Sequence, residues 1–296
     1  MCFGGVNTAV APLTPPGPVR NIAAMKPPPF AYADPESVGE VLELLAEHGA
    51  DAMVLAGGQS LMPELNLRRV RPGLVIDLGR VPELRELDVT DAAIVAGASV
   101  GITTLAEVHP TTAFAEAVGC IAHPQIRDRT TIGGTMAFAD PSAEMPAVLV
   151  ALGGSVALES IDGERRVDAA DFFVGPRQTV RRVDELVTSV TLPVLDGPSV
   201  WLEVARRPSD LPLVGLFVGA HGDGWRIALC GVGPTPIRAF ACEQALAAGT
   251  VDDAVDALAA ELDPPDGPHA SSAHRRSIAV SLLRSAVASL ALAVAA

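Results

Sequence analysis

Two short stretches of this 296-residue sequence combine paired glycines with hydroxyl side chains. The first, which we call the first glycine loop, is AGGQSL at residues 56–61, after a run of small and apolar residues. Paired glycines interrupt helices and strands, and they leave main-chain N–H groups uncovered by side chains. Such groups bind anions, phosphate above all, and Ser60 adds a hydroxyl. Taken alone, the stretch is weak evidence for such a site, because an ordinary turn after a strand also explains it.

The second glycine loop, residues 129–135, reads RTTIGGT and again pairs two glycines, now among threonines. Two such loops in one domain are suited to gripping the two ends of a diphosphate. Neither is followed by Lys-Ser/Thr, and neither has the spacing G-x-G-x-x-G, so a triphosphatase loop and an NAD site are disfavoured. Arg127 and Arg129 lie next to this loop, where they either offset the charge of a diphosphate or are simply solvated.

These motifs, in this order, resemble the FAD-binding medium subunit of molybdenum hydroxylases, a group that includes the carbon monoxide, nicotine and xanthine dehydrogenases. The resemblance rests on AGGQS at 56–60 and HPQIRDRTTIGGTMAFADPSAE at 123–144, and it covers nearly everything from Met25 onward. It implies an FAD site with no catalytic side chain. The cofactor-binding residues that it implies are Ala56, Gly57, Gly58, Gln59, Ser60, Leu61, Thr131, Ile132, Gly133, Gly134, Thr135, Glu144 and Val187.

Several of these residues also have a plain structural interpretation. By resemblance, Glu144 accepts hydrogen bonds from ribityl hydroxyls, but a carboxylate at a helix start is also favoured by the helix dipole. Val187 is either a nucleotide contact or a residue of a core strand, and Ile121 is either beside the flavin or in the core. His123 is interpreted as a structural group and not as a general base.

The sequence departs from the family pattern near the expected flavin ring. Relatives commonly carry a lysine where this chain has Glu203, and an aromatic residue where it has Leu211. Loss of the positive charge disfavours an anionic reduced flavin, so the potential and the electron acceptor are left open. A third departure, His274-Arg275-Arg276 in place of Tyr-Arg-Arg, is either a basic patch at a helix start or a docking surface.

Composition limits the function further. A formal net charge of −14 and only 4% aromatic residues argue against nucleic-acid partners. The four cysteines have no C-x-x-C spacing, which predicts no zinc or iron–sulfur ligands in this chain and a reducing, cytoplasmic location. The apolar C-terminal stretch is interrupted by Arg284, so we expect no membrane span.

Alternating strand and helix patterns predict an α/β (α+β) fold. We expect residues 1–24 to be a disordered extension, residues 25–195 to form the FAD-binding domain, and residues 196–296 to form a second domain. The second domain is predicted to be a three-stranded antiparallel sheet with a helical layer. The resemblance implies that the first domain is of the vanillyl-alcohol-oxidase-like type, in two subdomains.

The resemblance implies a subunit that passes electrons from 2Fe–2S clusters, through FAD, to an external acceptor. The molybdenum cofactor and the clusters would then lie in a large and a small partner subunit, arranged as a dimer of heterotrimers. Two alternatives stay open at this point. One is a self-sufficient flavin oxidoreductase, and the other is a non-catalytic assembly subunit that has lost its flavin.

Overall fold

The computed structural model describes residues 26–295, so the predicted extension at residues 1–24 lies outside the described residues. The first sheet of the described residues is parallel, with the strand order β1-β3-β2. Ser37 begins the first helix by accepting a hydrogen bond from the Glu40 main-chain N–H, as a capping residue does. The elements of this part are β1 (Ala31–Ala33), α1 (Val38–His48), β2 (Ala52–Leu55), α2 (Leu61–Asn66) and β3 (Leu74–Asp77).

A second, antiparallel sheet has five strands in the order β4-β5-β10-β6-β7. Its strands and the short hairpin beside it are β4 (Leu87–Val89), β5 (Ala93–Gly97), β6 (Ser155–Ser160), β7 (Gly163–Asp168), β8 (Phe173–Gly175), β9 (Gln178–Thr179) and β10 (Leu186–Pro193). The helices of this part are α3 (Ile102–Val108), α4 (Thr112–Cys120), α5 (Pro124–Arg127), α6 (Ile132–Phe138), α7 (Glu144–Leu152) and α8 (Ala169–Phe172).

The C-terminal part is an antiparallel sheet in the order β11-β12-β13-β14 with three helices. Its elements are β11 (Ser199–Val204), β12 (Val214–His221), β13 (Gly224–Cys230), β14 (Ile237–Arg238), α9 (Phe240–Ala248), α10 (Val251–Glu261) and α11 (Ser272–Ala295). The mixed α/β fold with an antiparallel C-terminal sheet is confirmed. The predicted count of three strands is wrong by one, because a two-residue strand is too short to show an alternating pattern.

This C-terminal sheet is buried on both faces. Trp201, Phe217 and Ala228 point to one side and join the core of the first part, where β11 and β13 pack on α4 and α7. Leu216 and Leu229 point to the other side and form a second core with α10 and α11. Successive residues of a strand face opposite sides, so one sheet serves both cores. We call the layer between the sheet and helices α4 and α7 the seam.

Candidate functional site

The two glycine loops are in direct contact. A Cβ placed on Gly57 would overlap the carbonyl oxygen of Arg129 and lie 3.4 Å from the Thr130 Cα. A Cβ placed on Gly134 would lie 3.7 Å from the Cβ of Ala56. Only a residue without a side chain allows this approach at position 57. The fold therefore brings together two loops that are far apart in the sequence.

A cavity of about 900 Å³ lies along this contact. The first glycine loop contributes Ala56, Gly57, Gly58 and Gln59 to its wall, and the second contributes Arg129 and Thr131. Its volume falls within the range of roughly 300–1,000 Å³ that is usual for cofactor sites. The remaining polar side chains of the wall are Asn66, Asp77, Arg85, Ser99, Thr103, Thr104 and Asp128.

The first glycine loop has unpaired main-chain donors, and three of the residues that carry them, Gly57, Gly58 and Gln59, line this cavity. Within residues 26–295, no acceptor receives a hydrogen bond from the N–H groups of Gly57, Gly58, Gln59 or Ser60. The turn is fixed by the Gln59 side-chain amide, which donates to the Gly57 carbonyl at 3.0 Å, and by a left-handed Gly58 with φ of 76°. Unpaired N–H groups that line a cavity are suited to a ligand rich in acceptor oxygens.

A buried hydroxyl in the same wall also lacks a partner. The Oγ atom of Ser99 is out of contact with solvent and makes no hydrogen bond to the described part of the chain. Buried polar atoms normally have partners, so an orphan in a cavity wall indicates a group that a ligand can satisfy. The donors of the first glycine loop and this hydroxyl fit the diphosphate and sugar oxygens of the predicted FAD.

The second glycine loop differs from its prediction. Gly133 and Gly134 lie in the first turn of α6, not in an open loop, and Thr131 caps that helix by accepting from the Gly134 N–H at 3.3 Å. The Ile132 and Gly133 N–H groups donate to the carbonyls of Val100 and Ala98, both at 2.9 Å. The segment that follows β5 therefore accepts the hydrogen bonds of the donors that were expected to face a ligand. Besides Arg129, this loop presents the Thr131 hydroxyl to the cavity, and that hydroxyl can still donate while it accepts from Gly134.

Several predicted cofactor residues lie outside the cavity wall. They are Ser60, Leu61, Ile132, Gly133, Gly134, Thr135, Glu144 and Val187. Ile132 and Val187 are buried in the core, and Ile121 packs against it, so each has a packing role in the structure. A contact between these residues and the cofactor stays a prediction.

Glu144 is the first residue of α7, and only 3% of its surface is exposed. Its carboxylate is bonded by its own main-chain N–H. Burial, with smaller contributions from the nearby charges of Glu203 and Asp140, raises the pKa of Glu144 to about 8. At neutral pH this side chain is therefore mostly a protonated carboxyl group, which can donate as well as accept a hydrogen bond.

Glu203 lies in β11 at the seam, where the indole N–H of Trp201 donates to its Oε2 atom at 3.0 Å. The thiol of Cys120 also bonds to this carboxylate, and burial raises the pKa of Glu203. Burial, together with the charges of Glu203 and Glu144, raises the pKa of the Cys120 thiol to about 11. Sequence reasoning identified both acids but not that they influence each other. Leu211, the other departure, is exposed.

The flanking basic residues divide by role. Arg127 Nη1 donates to the carbonyls of Gly119 and Ile121 at the C-terminal end of α4, so its side chain is bound to the main chain, whereas Arg129 lines the cavity. Near the C-terminus, the Arg275 side chain donates to the carbonyl of Gly231, and the Arg276 side chain donates to the carbonyl of Leu262. These bonds favour a structural role for the basic stretch at residues 274–276.

Residues 26–295 contain neither a metal-binding cluster nor a membrane-spanning helix. No group of three or more His, Cys, Asp or Glu side chains is placed to hold a metal ion. None of the helices in this part of the chain combines the length and the apolar character needed to cross a bilayer.

Comparison with known proteins agrees with the geometry. Residues 28–195 match the FAD binding domain in molybdopterin dehydrogenase, and residues 205–290 match the CO dehydrogenase flavoprotein C-terminal domain. The beta subunit of caffeine dehydrogenase from Pseudomonas sp. (strain CBB1) is 41% identical over 74% of this chain and 79% of its own length. The alpha subunit of the 6-hydroxypseudooxynicotine dehydrogenase complex of Paenarthrobacter nicotinovorans is 37% identical over 86% of this chain and 92% of its own length.

A solved structure extends the similarity to nearly the whole fold. Carbon monoxide dehydrogenase from Hydrogenophaga pseudoflava, in a form lacking the Mo-pyranopterin moiety of its cofactor, superposes with a TM-score of 0.84 at 33% identity. The match covers 90% of this chain and 98% of the other. The chain therefore belongs to the family of FAD-binding medium subunits of molybdenum hydroxylase-type dehydrogenases, and it is an oxidoreductase subunit whose cofactor is FAD.

Proposed function

We propose that this chain transfers electrons within a three-subunit complex. Its FAD accepts electrons from 2Fe–2S clusters in a small subunit, while the substrate is oxidised at molybdenum in a large subunit, and an external acceptor removes the electrons. The proposal is supported by relatives named as subunits or as medium chains of dehydrogenases. It includes assembly as a dimer of heterotrimers and the cytoplasmic location predicted from the sequence.

One observation carries the proposal: the contact of the two glycine loops beside a cavity with unpaired main-chain donors. We assign the diphosphate to the N–H groups of Gly57, Gly58 and Gln59, with the Thr131 hydroxyl opposite and the Arg129 charge nearby. Backbone donors and one guanidinium are an economical means of binding an anion to a protein with a net charge of −14. Ser99 is assigned to a hydroxyl or carbonyl of the cofactor.

The role of the protein is to bind and tune the flavin, which supplies the redox chemistry when bound. Glu144 and Glu203 act on it through charge and hydrogen bonding from the seam. The acid that enters the cavity from β3, Asp77, already accepts from the Tyr32 hydroxyl at 2.7 Å and the Gly79 N–H at 2.8 Å. An engaged carboxylate is a poor general base, so Asp77 gives no support to self-sufficient substrate oxidation.

Purification of the native complex, with flavin and metal analysis, tests the proposal. We expect one FAD per copy of this chain and two further subunits that carry molybdenum and iron. FAD without the partner subunits would instead support the self-sufficient oxidoreductase. Partner subunits without FAD would support the assembly subunit, and native mass measurement tests the dimer of heterotrimers.

A further inference from the structure

We propose that Arg177 is a positioning residue that ties together the two helices that carry the glycine loops, and so keeps the FAD site closed. This inference rests on the proposed function, because it concerns the same cofactor. Arg177 lies in the turn between β8 and β9, outside both glycine loops and outside the cavity wall. No feature of the sequence around it indicates this role.

The side chain of Arg177 bridges two separate elements. Its Nη1 atom is 3.3 Å from Oε1 of Glu64, in α2. Its Nε and Nη2 atoms are 3.3 and 3.2 Å from Oδ2 of Asp140, just after α6. The guanidinium carbon also lies 4.7 Å from the centre of the Phe138 ring, a cation–π distance, at the end of α6.

The main chain strengthens the second half of this link. The Arg177 N–H donates to the carbonyl of Ala139 at 2.9 Å. Both residues have left-handed backbones, with φ of 57° for Arg177 and 50° for Ala139. Residues other than glycine adopt this conformation uncommonly, so its presence on both sides of one hydrogen bond indicates a junction held by its surroundings.

The link matters because of where the two helices begin. Helix α2 starts at Leu61, directly after the free donors of the first glycine loop, and α6 starts at Ile132, directly after Thr131. The loops touch at one end of these helices through Gly57 and Arg129. Arg177 joins α2 to the opposite end of α6. The two helices are thus held together at two points, which keeps the two glycine loops from moving apart.

An electrostatic explanation is a rival to this one. Glu64 and Asp140 are mostly buried, and removal of Arg177 leaves them less compensated beside an anion site. The chain contains a matched control for this effect. Arg69 pairs with the same Glu64 oxygen at 3.2 Å but contacts neither Asp140 nor Phe138 in the described structure. Arg69→Met and Arg177→Met change the net charge equally, but only the latter cuts the link.

The experiment measures FAD dissociation from the full chain by recovery of flavin fluorescence, at a temperature where every variant is folded by circular dichroism. We expect Arg177→Met to raise the dissociation rate about tenfold, as expected for loss of one paired and stacked guanidinium. Arg69→Met should stay within about twofold of the unmodified chain. Arg177→Lys should fall between them, because it keeps the charge and loses the fork that reaches both carboxylates.

Each outcome separates the explanations. Equal effects of Arg69→Met and Arg177→Met would overturn the positioning role in favour of charge alone. An Arg177→Met rate equal to that of the unmodified chain would overturn it while leaving the proposed function intact. If the unmodified chain does not bind FAD, both proposals fail. If Arg177→Met does not fold, Glu64→Met, which removes the acceptor at the other end of the link, must raise the dissociation rate.

Discussion

Protonation of Glu144 gives the most quantitative prediction. Its folded pKa is raised by burial from 4.5 to about 8. Because the folded state holds the proton more tightly, this group's contribution to stability is complete below pH 4.5. That contribution is lost as the pH rises from 4.5 to about 8, and it is absent at higher pH. A shift of about 3.5 pH units, at roughly 1.4 kcal/mol per unit, corresponds to a loss of up to about 5 kcal/mol.

Chemical denaturation of the flavin-free chain between pH 5 and pH 9 measures this loss. Glu144→Gln should remove the dependence, because the amide is neutral at every pH and has nearly the same shape. The variant should match the parent chain near pH 5 and exceed its stability above pH 8. Glu47→Gln, on the exposed side of α1, is the control and should leave the profile unchanged. A parent chain whose stability is flat or rises over this range would refute the reasoning.

Three further predictions concern the seam and the core. Glu203→Lys should raise the flavin midpoint potential by on the order of tens of millivolts, because a cation near the ring favours the reduced, anionic flavin. An unchanged midpoint in a potentiometric titration would show that position 203 does not influence the flavin. Burial raises the pKa of the Cys120 thiol from 9.0 to about 11. Its alkylation by iodoacetamide at pH 8 should therefore be on the order of a hundredfold slower than that of a thiol with an ordinary pKa. Alkylation at the ordinary rate would show that this thiol is not buried. His109 is buried and stacks on Phe114 with ring centres 4.6 Å apart, and burial lowers its pKa to about 4. The NMR resonances of its ring should titrate with a midpoint near pH 4. A midpoint near 6.5 would show an exposed ring.

The first glycine loop and the C-terminal strands were predictable because their signals are local. A glycine pair after a buried run breaks the strand wherever it occurs. Strands β12 and β13 are recognisable as apolar runs joined by a glycine-containing turn, because both faces of the sheet are buried. Strand β14 escaped prediction because Ile237 and Arg238 alone carry no period, and their pairing with Ala228 and Leu229 is a long-range contact.

The second glycine loop shows what local signals omit. A pair of glycines disfavours a helix by propensity, yet Gly133 and Gly134 begin α6. The structure overrides propensity because Thr131 caps the helix and Gly133 must approach Ala98 closely, where a Cβ would overlap its neighbour. Tertiary packing of this kind cannot be read from one sequence.

Interactions between side chains that are far apart in the sequence could not be predicted from it either. Arg177 contacts Glu64 across 113 residues and Asp140 across 37. The mutual influence of Glu144 and Glu203 depends on α7 packing against the C-terminal sheet. The family resemblance singled out Glu144 and position 203, whereas the protonation of Glu144, its interaction with Glu203 and the contacts of Arg177 follow only from the fold.

The central claim is that the two touching glycine loops hold the diphosphate of FAD, and flavin occupancy of a loop variant tests it most directly. Gly57→Asp combined with Gly134→Asp places side chains and two negative charges where the loops meet. The account predicts that this double variant, purified as a folded chain, contains little or no FAD, whereas the parent chain contains about one per polypeptide. Full occupancy in the folded double variant would contradict the account.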